Sequence, residues 1–462
     1  MKQARKSTYH FQICNHNYYL ADILKRIDGR RSLLPDYQTV IIDEAHKLMD
    51  AANQMYGTSI NENEVFHLMK KISPIHSKKK SQKELKNLTS EVMALNQMIF
   101  DALTEQIPDK AFSDDTEKFP TVITTRTMKL LRKMVFTIHE ISKKMSYTER
   151  QFLIDQKTVL DGLKVLLLET NIYWMENPKA QGQRMLSSIP KNISDELGRD
   201  LWTAKRSMIL TSGTLAVDDD FSFIKHQLGM NTVSDFKVKE LTKSSPYKYE
   251  ENCLIYIPNR MPFPNTDNEE YIQVISREIS KLIDASNGHA LVLFTSYKPL
   301  RLVFQQVKEM QVNRQLIAMN RGRNTAIEEF KNSQNAVLFA TGSMWEGVNI
   351  PGDVLSHLII VKLPFPIPDP ISEYEKTLYQ DMNEYLKSAL IPQMLIKLRQ
   401  GVGRLIRSET DTGVISILDV RSSENGRYHQ DVLDALPKCR RAENIEDIRT
   451  FLKEKKDKLY FE

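Results

Sequence analysis

Residues 40–46 read Val-Ile-Ile-Asp-Glu-Ala-His. An apolar run ends in two adjacent carboxylates, Asp43 and Glu44, with His46 two positions further on. A buried parallel strand delivers acid groups to its carboxyl end in this way, and open α/β sheets bind ligands at that end. Where a phosphoanhydride is hydrolysed, the first carboxylate holds Mg²⁺ and the second orients or deprotonates the attacking water. Over four residues alone, a strand running into an acidic helix start reads the same way.

A second cluster lies far downstream. Residues 400–407 read Gln-Gly-Val-Gly-Arg-Leu-Ile-Arg. Arg404 and Arg407, three apart, are expected on one helix face, after two glycines that permit close approach of backbone or ligand. The planar guanidinium fork stays charged and suits a transferring phosphoryl group. Residues 413–419, Gly-Val-Ile-Ser-Ile-Leu-Asp, follow as a buried-strand pattern, which sets the arginines in an α/β context.

These groups need elements to position them. Residues 11–14 and 39–42 read as short strands of one sheet, and 207–210 as another strand ending at Thr211 and Ser212. From about 61 to 190 glycine is scarce, charge is dense, and apolar residues recur at helical spacing, as in Met128, Leu131, Met134, Val135 and Ile138. This stretch reads as a helical insertion whose apolar stripe is packing core. Residues 171–177 have strand-like alternation and are expected to lead back to the first sheet. The chain turns polar near 231, where a domain boundary is expected. Beyond it, strand patterns at 254–257, 290–294, 336–339, 358–361 and 414–418 alternate with helical stretches, which implies a doubly wound, mostly parallel sheet. Pro364, Pro366, Pro368 and Pro370 argue against helix until about Ile371.

The 462 residues suffice for two or three domains, and the net charge of +5 is mild. No apolar stretch approaches the roughly 20 residues needed to cross a bilayer, and residues 1–10 lack the apolar core of a signal peptide. Cys14, Cys253 and Cys439 are far apart and odd in number, which suggests a reducing cytoplasm. Cys14 reads as a small buried residue in a strand.

In order along the chain, these segments resemble the DinG/XPD branch of superfamily 2 DNA helicases. Asn15-His16-Asn17-Tyr18-Tyr19-Leu20-Ala21-Asp22 is similar to the segment that precedes the acidic strand in that family. Asp43-Glu44-Ala45-His46 resembles motif II, and Leu210-Thr211-Ser212-Gly213-Thr214-Leu215 motif III. Leu293-Phe294-Thr295-Ser296-Tyr297 resembles motif IV, residues 342–352 motif V, and residues 400–407 motif VI. The similarity runs from about residue 10 to about residue 440.

The resemblance implies two RecA-like parallel-sheet α/β domains. The first, residues 1–60 and 191–230, would be N-terminally incomplete and would carry the helical, arch-like insertion 61–190. The second would span 231–462. ATP and Mg²⁺ are the implied cofactors, and single-stranded or forked DNA the implied partner. Asp43 would hold the Mg²⁺ of ATP, and Glu44 would be the catalytic base. His46, Gly347, Gln400 and Gly403 would face the nucleotide, with Arg404 and Arg407 at its γ-phosphate. Thr211, Ser212, Thr214, Glu346 and Asn349 would couple nucleotide state to DNA. Thr295, Ser296 and Tyr297 would donate to DNA phosphates, which fix position without reading sequence. Trp345 reads equally as a base-stacking residue or as core.

Two departures from the family stand out. Asn349 replaces the usual Asp, which keeps a hydrogen-bonding side chain and removes a charge. No Gly-x-x-x-x-Gly-Lys-Ser/Thr occurs in the chain, so the loop that cradles β- and γ-phosphates is missing. Many relatives bind an iron–sulfur cluster upstream of the Asn15-His16 segment. With Cys14 alone near that place, no cluster is expected in this chain. The resemblance implies 5′-to-3′ unwinding in DNA repair or replication-linked processing, with these residues alone hydrolysing ATP poorly. A DNA-binding remnant without catalysis, and one half of a split helicase completed by a polypeptide carrying the loop, are the alternatives.

Overall fold

The computed structural model describes residues 10–72, 79–108, 117–144, 150–202, 207–217, 219–234, 237–319, 325–345, 350 and 352–462. They form two compact units. The first comprises Met1–Ser212, Ile224–Val238 and Pro368–Met382; the second comprises Gly213–Phe223, Lys239–Ile367 and Asn383–Glu462. The division is therefore more interleaved than a single boundary near 231. Residues 213–223 join the second unit because helix Ile391–Val402 holds them: Arg399 Nη1 donates to the Ala216 carbonyl at 2.7 Å.

The first unit opens with helix His16–Ile27, whose N-cap Asn15 accepts from the Tyr18 amide. Residues 11–14 do not form the expected strand. They have no ladder partners among the described residues, and Phe11, Ile13 and Cys14 are exposed, so Cys14 is not the buried strand residue anticipated. The strands that follow are β1 (Thr39–Ile42), β2 (Thr58–Asn61), β3 (Phe119–Thr121), β4 (Asn171–Glu176), β5 (Met185–Pro190) and β6 (Ser207–Leu210). β1 and β6 pair in parallel, Ile42 opposite Leu210. Ile41 and Ile209 of this pair are 55% and 51% exposed.

The other four strands form an antiparallel sheet in the order β2-β5-β4-β3. The insertion is thus mixed α+β rather than helical. β4 is a strand, as its alternation suggests, but it pairs with β5 and β3 instead of returning to the first sheet. Helices Glu62–Lys70, Lys79–Thr104, Thr125–Lys143 and Arg150–Val165 complete this layer. Leu131, Met134 and Ile138 are buried in its core. Arg184 is buried against Glu62 and Asp101, which neutralise its charge where β5 begins.

The second unit is a seven-stranded, all-parallel sheet. Its strands are β7 (Cys253–Tyr256), β8 (Ala290–Leu293), β9 (Leu316–Ala318), β10 (Val337–Ala340), β11 (His357–Ile360), β12 (Gly413–Ile417) and β13 (Arg440–Ala442). They lie in the order β13-β7-β12-β11-β8-β10-β9. β7, β8, β10, β11 and β12 are buried along their whole length, as strands covered by helices on both faces must be. Helix Glu269–Ala285 shows how a covering helix is specified. Asn268 caps it, Glu269 and Glu270 fill its first turn, and Ile272, Ile275, Ile279, Leu282 and Ile283 form its buried stripe. Helix Pro370–Lys376 of the first unit begins where the proline series predicts, with Asp369 in a capping box and Pro370 in the first turn. Among the described residues no helix is long and apolar enough to cross a membrane.

Candidate functional site

In the first unit the acidic motif sits where the strand pattern puts it. Asp43 directly follows β1, and Thr211 and Ser212 directly follow β6. Backbone bonds lock the two ends: the Thr211 amide donates to the Ile42 carbonyl at 2.9 Å, and the Ala45 amide to the Thr211 carbonyl at 3.0 Å. Glu44 takes a left-handed backbone conformation, with φ 49° and ψ 46°. This turns its carboxylate toward the end of β6, where Ser212 Oγ donates to Glu44 Oε2 at 3.2 Å. His46 Nδ1 lies 2.8 Å from Ser212 Oγ and 3.3 Å from Glu44 Oε2. Because the serine proton goes to Glu44, the tautomer that fits carries hydrogen on His46 Nδ1 and donates to Ser212. The result is a short relay, His46 to Ser212 to Glu44. The His46 side chain is 10% exposed and the Glu44 side chain 56%.

His16, in the Asn15–Asp22 segment, also touches this site. Its Nε2 donates to the Asp43 carbonyl at 2.8 Å, and its neighbour Asn17 donates to Gln54 at 2.8 Å. The signal available was its place at the start of helix His16–Ile27, one residue after the capping Asn15. A contact 27 residues away in sequence leaves no local pattern.

In the second unit Gln400 is buried near the end of helix Ile391–Val402, with Nε2 3.4 Å from Thr214 Oγ1. Gly403 closes that helix. Arg404 and Arg407 consequently do not share a helix face. They lie in the turn beyond it, where the Asp411 carboxylate accepts from the Arg407 and Ser408 amides at 2.8 and 2.9 Å.

Thr295, Ser296 and Tyr297 sit at the carboxyl end of β8, where helix Tyr297–Glu309 begins. The amides of a helix first turn are donors without intrahelical partners and suit an anionic ligand. Trp345 corrects the base-stacking reading. It is 1% exposed, and its indole N–H donates to the Phe294 carbonyl at 2.9 Å. A Cβ on Gly401 would lie 2.9 Å from its Cε3, so the glycine lets the helix pack on the indole ring. Trp345 is core, and Gly401 serves packing. Glu346, Gly347 and Asn349 lie outside the described residues.

The motif residues thus gather in two groups: Asp43, Glu44, His46, Thr211 and Ser212 in the first unit, and Thr214, Gln400, Arg404 and Arg407 in the second. Motif III is shared between the units, dividing after Ser212.

Comparison with known proteins gives the same direction. Residues 279–439 match the Helicase C-terminal domain family. The chain is 29% identical to the ATP-dependent DNA helicase YoaA of Haemophilus influenzae over 96% of its own length and 69% of that protein. It is 27% identical to a 3′-5′ exonuclease DinG of Bacillus subtilis, covering 92% of this chain and 51% of the relative. Among solved structures, an XPD helicase matches 92% of this chain and 72% of its own, with TM-score 0.53 and 16% identity. S. tokodaii Xpd4 matches 93% and 81%, with TM-score 0.54 and 16% identity. At that identity the structural likeness speaks for the fold.

Proposed function

We propose that the chain, similar to DinG/XPD-like helicases of superfamily 2, is the motor portion of an ATP-dependent DNA helicase that moves 5′ to 3′ on single-stranded DNA. The observation that carries this reading is the His46–Ser212–Glu44 relay at the carboxyl ends of two parallel strands. In this reading Glu44 takes a proton from the attacking water, and the relay that ties its carboxylate to motif III supports the role. Asp43 offers a hard oxygen donor of the kind Mg²⁺ takes. That ion is commonly held by one or two carboxylates plus substrate phosphates, and it would offset charge on the phosphates when bound. Arg404 and Arg407 answer the γ-phosphate, and Gln400 links that end of the second unit to Thr214. Thr295, Ser296 and Tyr297, at a helix start, take DNA phosphates.

Hydrolysis also needs a phosphate-cradling loop, which the sequence of residues 1–462 does not contain. Its source is a segment or a separate polypeptide that completes the β1–β6 sheet. The apolar Ile41 and Ile209, half exposed on that sheet, support this, because parallel strands are ordinarily covered on both faces. The test measures residues 1–462 directly. They bind single-stranded DNA with salt-dependent affinity, and they hydrolyse ATP far below the typical enzyme median of about 10 s⁻¹. Absence of DNA binding refutes the motor reading. Turnover near that median refutes the need for an added loop.

A further inference from the structure

Phe263 is 66% exposed, on the loop that follows β7. Scattered exposed apolar residues need no explanation, but this ring has a built support. The guanidinium carbon of Arg421 lies 5.6 Å from the ring centroid, and the same guanidinium lies 5.0 Å from the ring of Phe365. Arg421 is fixed by a two-point ion pair: its Nε and Nη2 donate to the Asp419 carboxylate at 2.9 and 2.7 Å. Asp419 is 1% exposed and also accepts from the Leu363 amide at 2.9 Å. The cation under Phe263 is therefore clamped into the ends of β11 and β12.

The position matters as much as the support. Phe263 follows β7, Leu363 follows β11 and Asp419 follows β12, while β8 is the next strand in the sheet. These are the carboxyl ends of adjacent parallel strands, where α/β sheets take their ligands. The loop is tied to the start of helix Tyr297–Glu309 by Lys298, whose Nζ donates to Asp267 at 2.6 Å. Phe263 thus shares one edge of the sheet with Thr295, Ser296 and Tyr297. Lys298 and Arg421 are ion-paired with Asp267 and Asp419, and Arg260 lies on the same loop, next to Asn259, which bonds Glu424.

We propose that Phe263 is a base-stacking platform for single-stranded nucleic acid, with one ring face seated on Arg421 and the other open to a nucleobase. The assignment rests on the DNA-motor reading and adds a contact to it. Phosphates held at the start of helix Tyr297–Glu309 would fix the strand, and the ring would grip a base without regard to sequence, since every base has a π-face. Arg421 then acts as a positioning residue, polarising and orienting the ring from beneath.

The experiment titrates residues 1–462 and two variants with fluorescein-labelled oligothymidylate across a salt series. Phe263→Ala weakens binding roughly 5- to 150-fold, the effect of losing one base–aromatic stack, and leaves the slope of log affinity against log salt unchanged. Phe263→Trp keeps the affinity, and its emission is quenched as the strand binds. The side chain is exposed, so both variants fold, and an unchanged circular dichroism spectrum checks this. Equal affinity for Phe263→Ala and the unaltered chain overturns the platform while leaving the motor reading intact. A smaller salt slope in Phe263→Ala also overturns it, because the loss would then be of charge contacts. No binding by the unaltered chain overturns both.

Discussion

Trp345 offers the sharpest test of how the second unit is built. Replacing it with Phe removes the indole N–H that the Phe294 carbonyl accepts at 2.9 Å. That carbonyl lies at the end of β8 in the dry interior, and a buried acceptor left without a donor costs about 1–3 kcal/mol. The missing ring atoms leave a void against Gly401, which adds about 1 kcal/mol. The expected loss is about 2–4 kcal/mol, borne by the second unit alone. Amide hydrogen exchange reads it locally. At 1.4 kcal/mol per tenfold, peptides covering β8 and β10 should exchange roughly 30- to 700-fold faster in Trp345→Phe. Peptides of the antiparallel sheet in the first unit should be unchanged. Affinity for single-stranded DNA, measured well below the unfolding temperature, should move little. The reasoning fails if affinity falls while exchange in β8 and β10 stays as it was. The indole would then be a nucleic-acid contact, and its burial would not describe the working protein.

In an enzyme completed with a phosphate loop, Glu44→Gln should abolish turnover while leaving nucleotide binding. Arg404→Ala and Arg407→Ala should each lower kcat by about 10³-fold or more, with unaltered DNA salt slopes. Near-normal kcat with a shallower salt slope would move the arginines to the DNA groove. His357 gives a pH prediction. It is fully buried beside Ser416 Oγ, 2.8 Å away, and burial pushes its pKa down to about 3. The unfolded chain, with a histidine pKa of about 6.5, takes up the proton first. This contribution to stability is therefore complete above about pH 6.5 and is lost as pH falls toward about 3, by at most about 1.4 kcal/mol per pH unit. Urea unfolding at about pH 7 and about pH 5 should show a smaller drop in His357→Gln than in the unaltered chain; equal drops would refute the assignment.

The sequence made the buried strands easy to find. Runs such as Ala290–Leu293 and His357–Ile360 are apolar from end to end because helices cover both faces, and no surface position dilutes the signal. The edge strands β9 and β13 leave little signal in the sequence. Each has three residues, and β13 is Arg-Arg-Ala with both arginines exposed. In the insertion the alternation of Asn171–Glu176 was readable, but its partner was not, since pairing with Met185–Pro190 and Phe119–Thr121 is set by tertiary contacts. The site shows the same split. Adjacent carboxylates after an apolar run were visible, whereas the relay through Ser212 joins residues 168 apart. Arginine spacing suggests a helix face, but the helix closes at Gly403, before either arginine. Trp345 looked like a ligand contact or core with equal justice, and only its burial decides.

The left-handed backbone at Glu44 has a consequence for anyone who engineers this protein. A residue with a Cβ held at φ 49° carries a penalty of about 1–2 kcal/mol that glycine would not. Libraries ranked by melting temperature, or redesign that optimises the fold, will therefore favour Glu44→Gly and reward the very change that deletes the proposed base. This residue must be held fixed, because there durability and chemistry pull the chain in opposite directions.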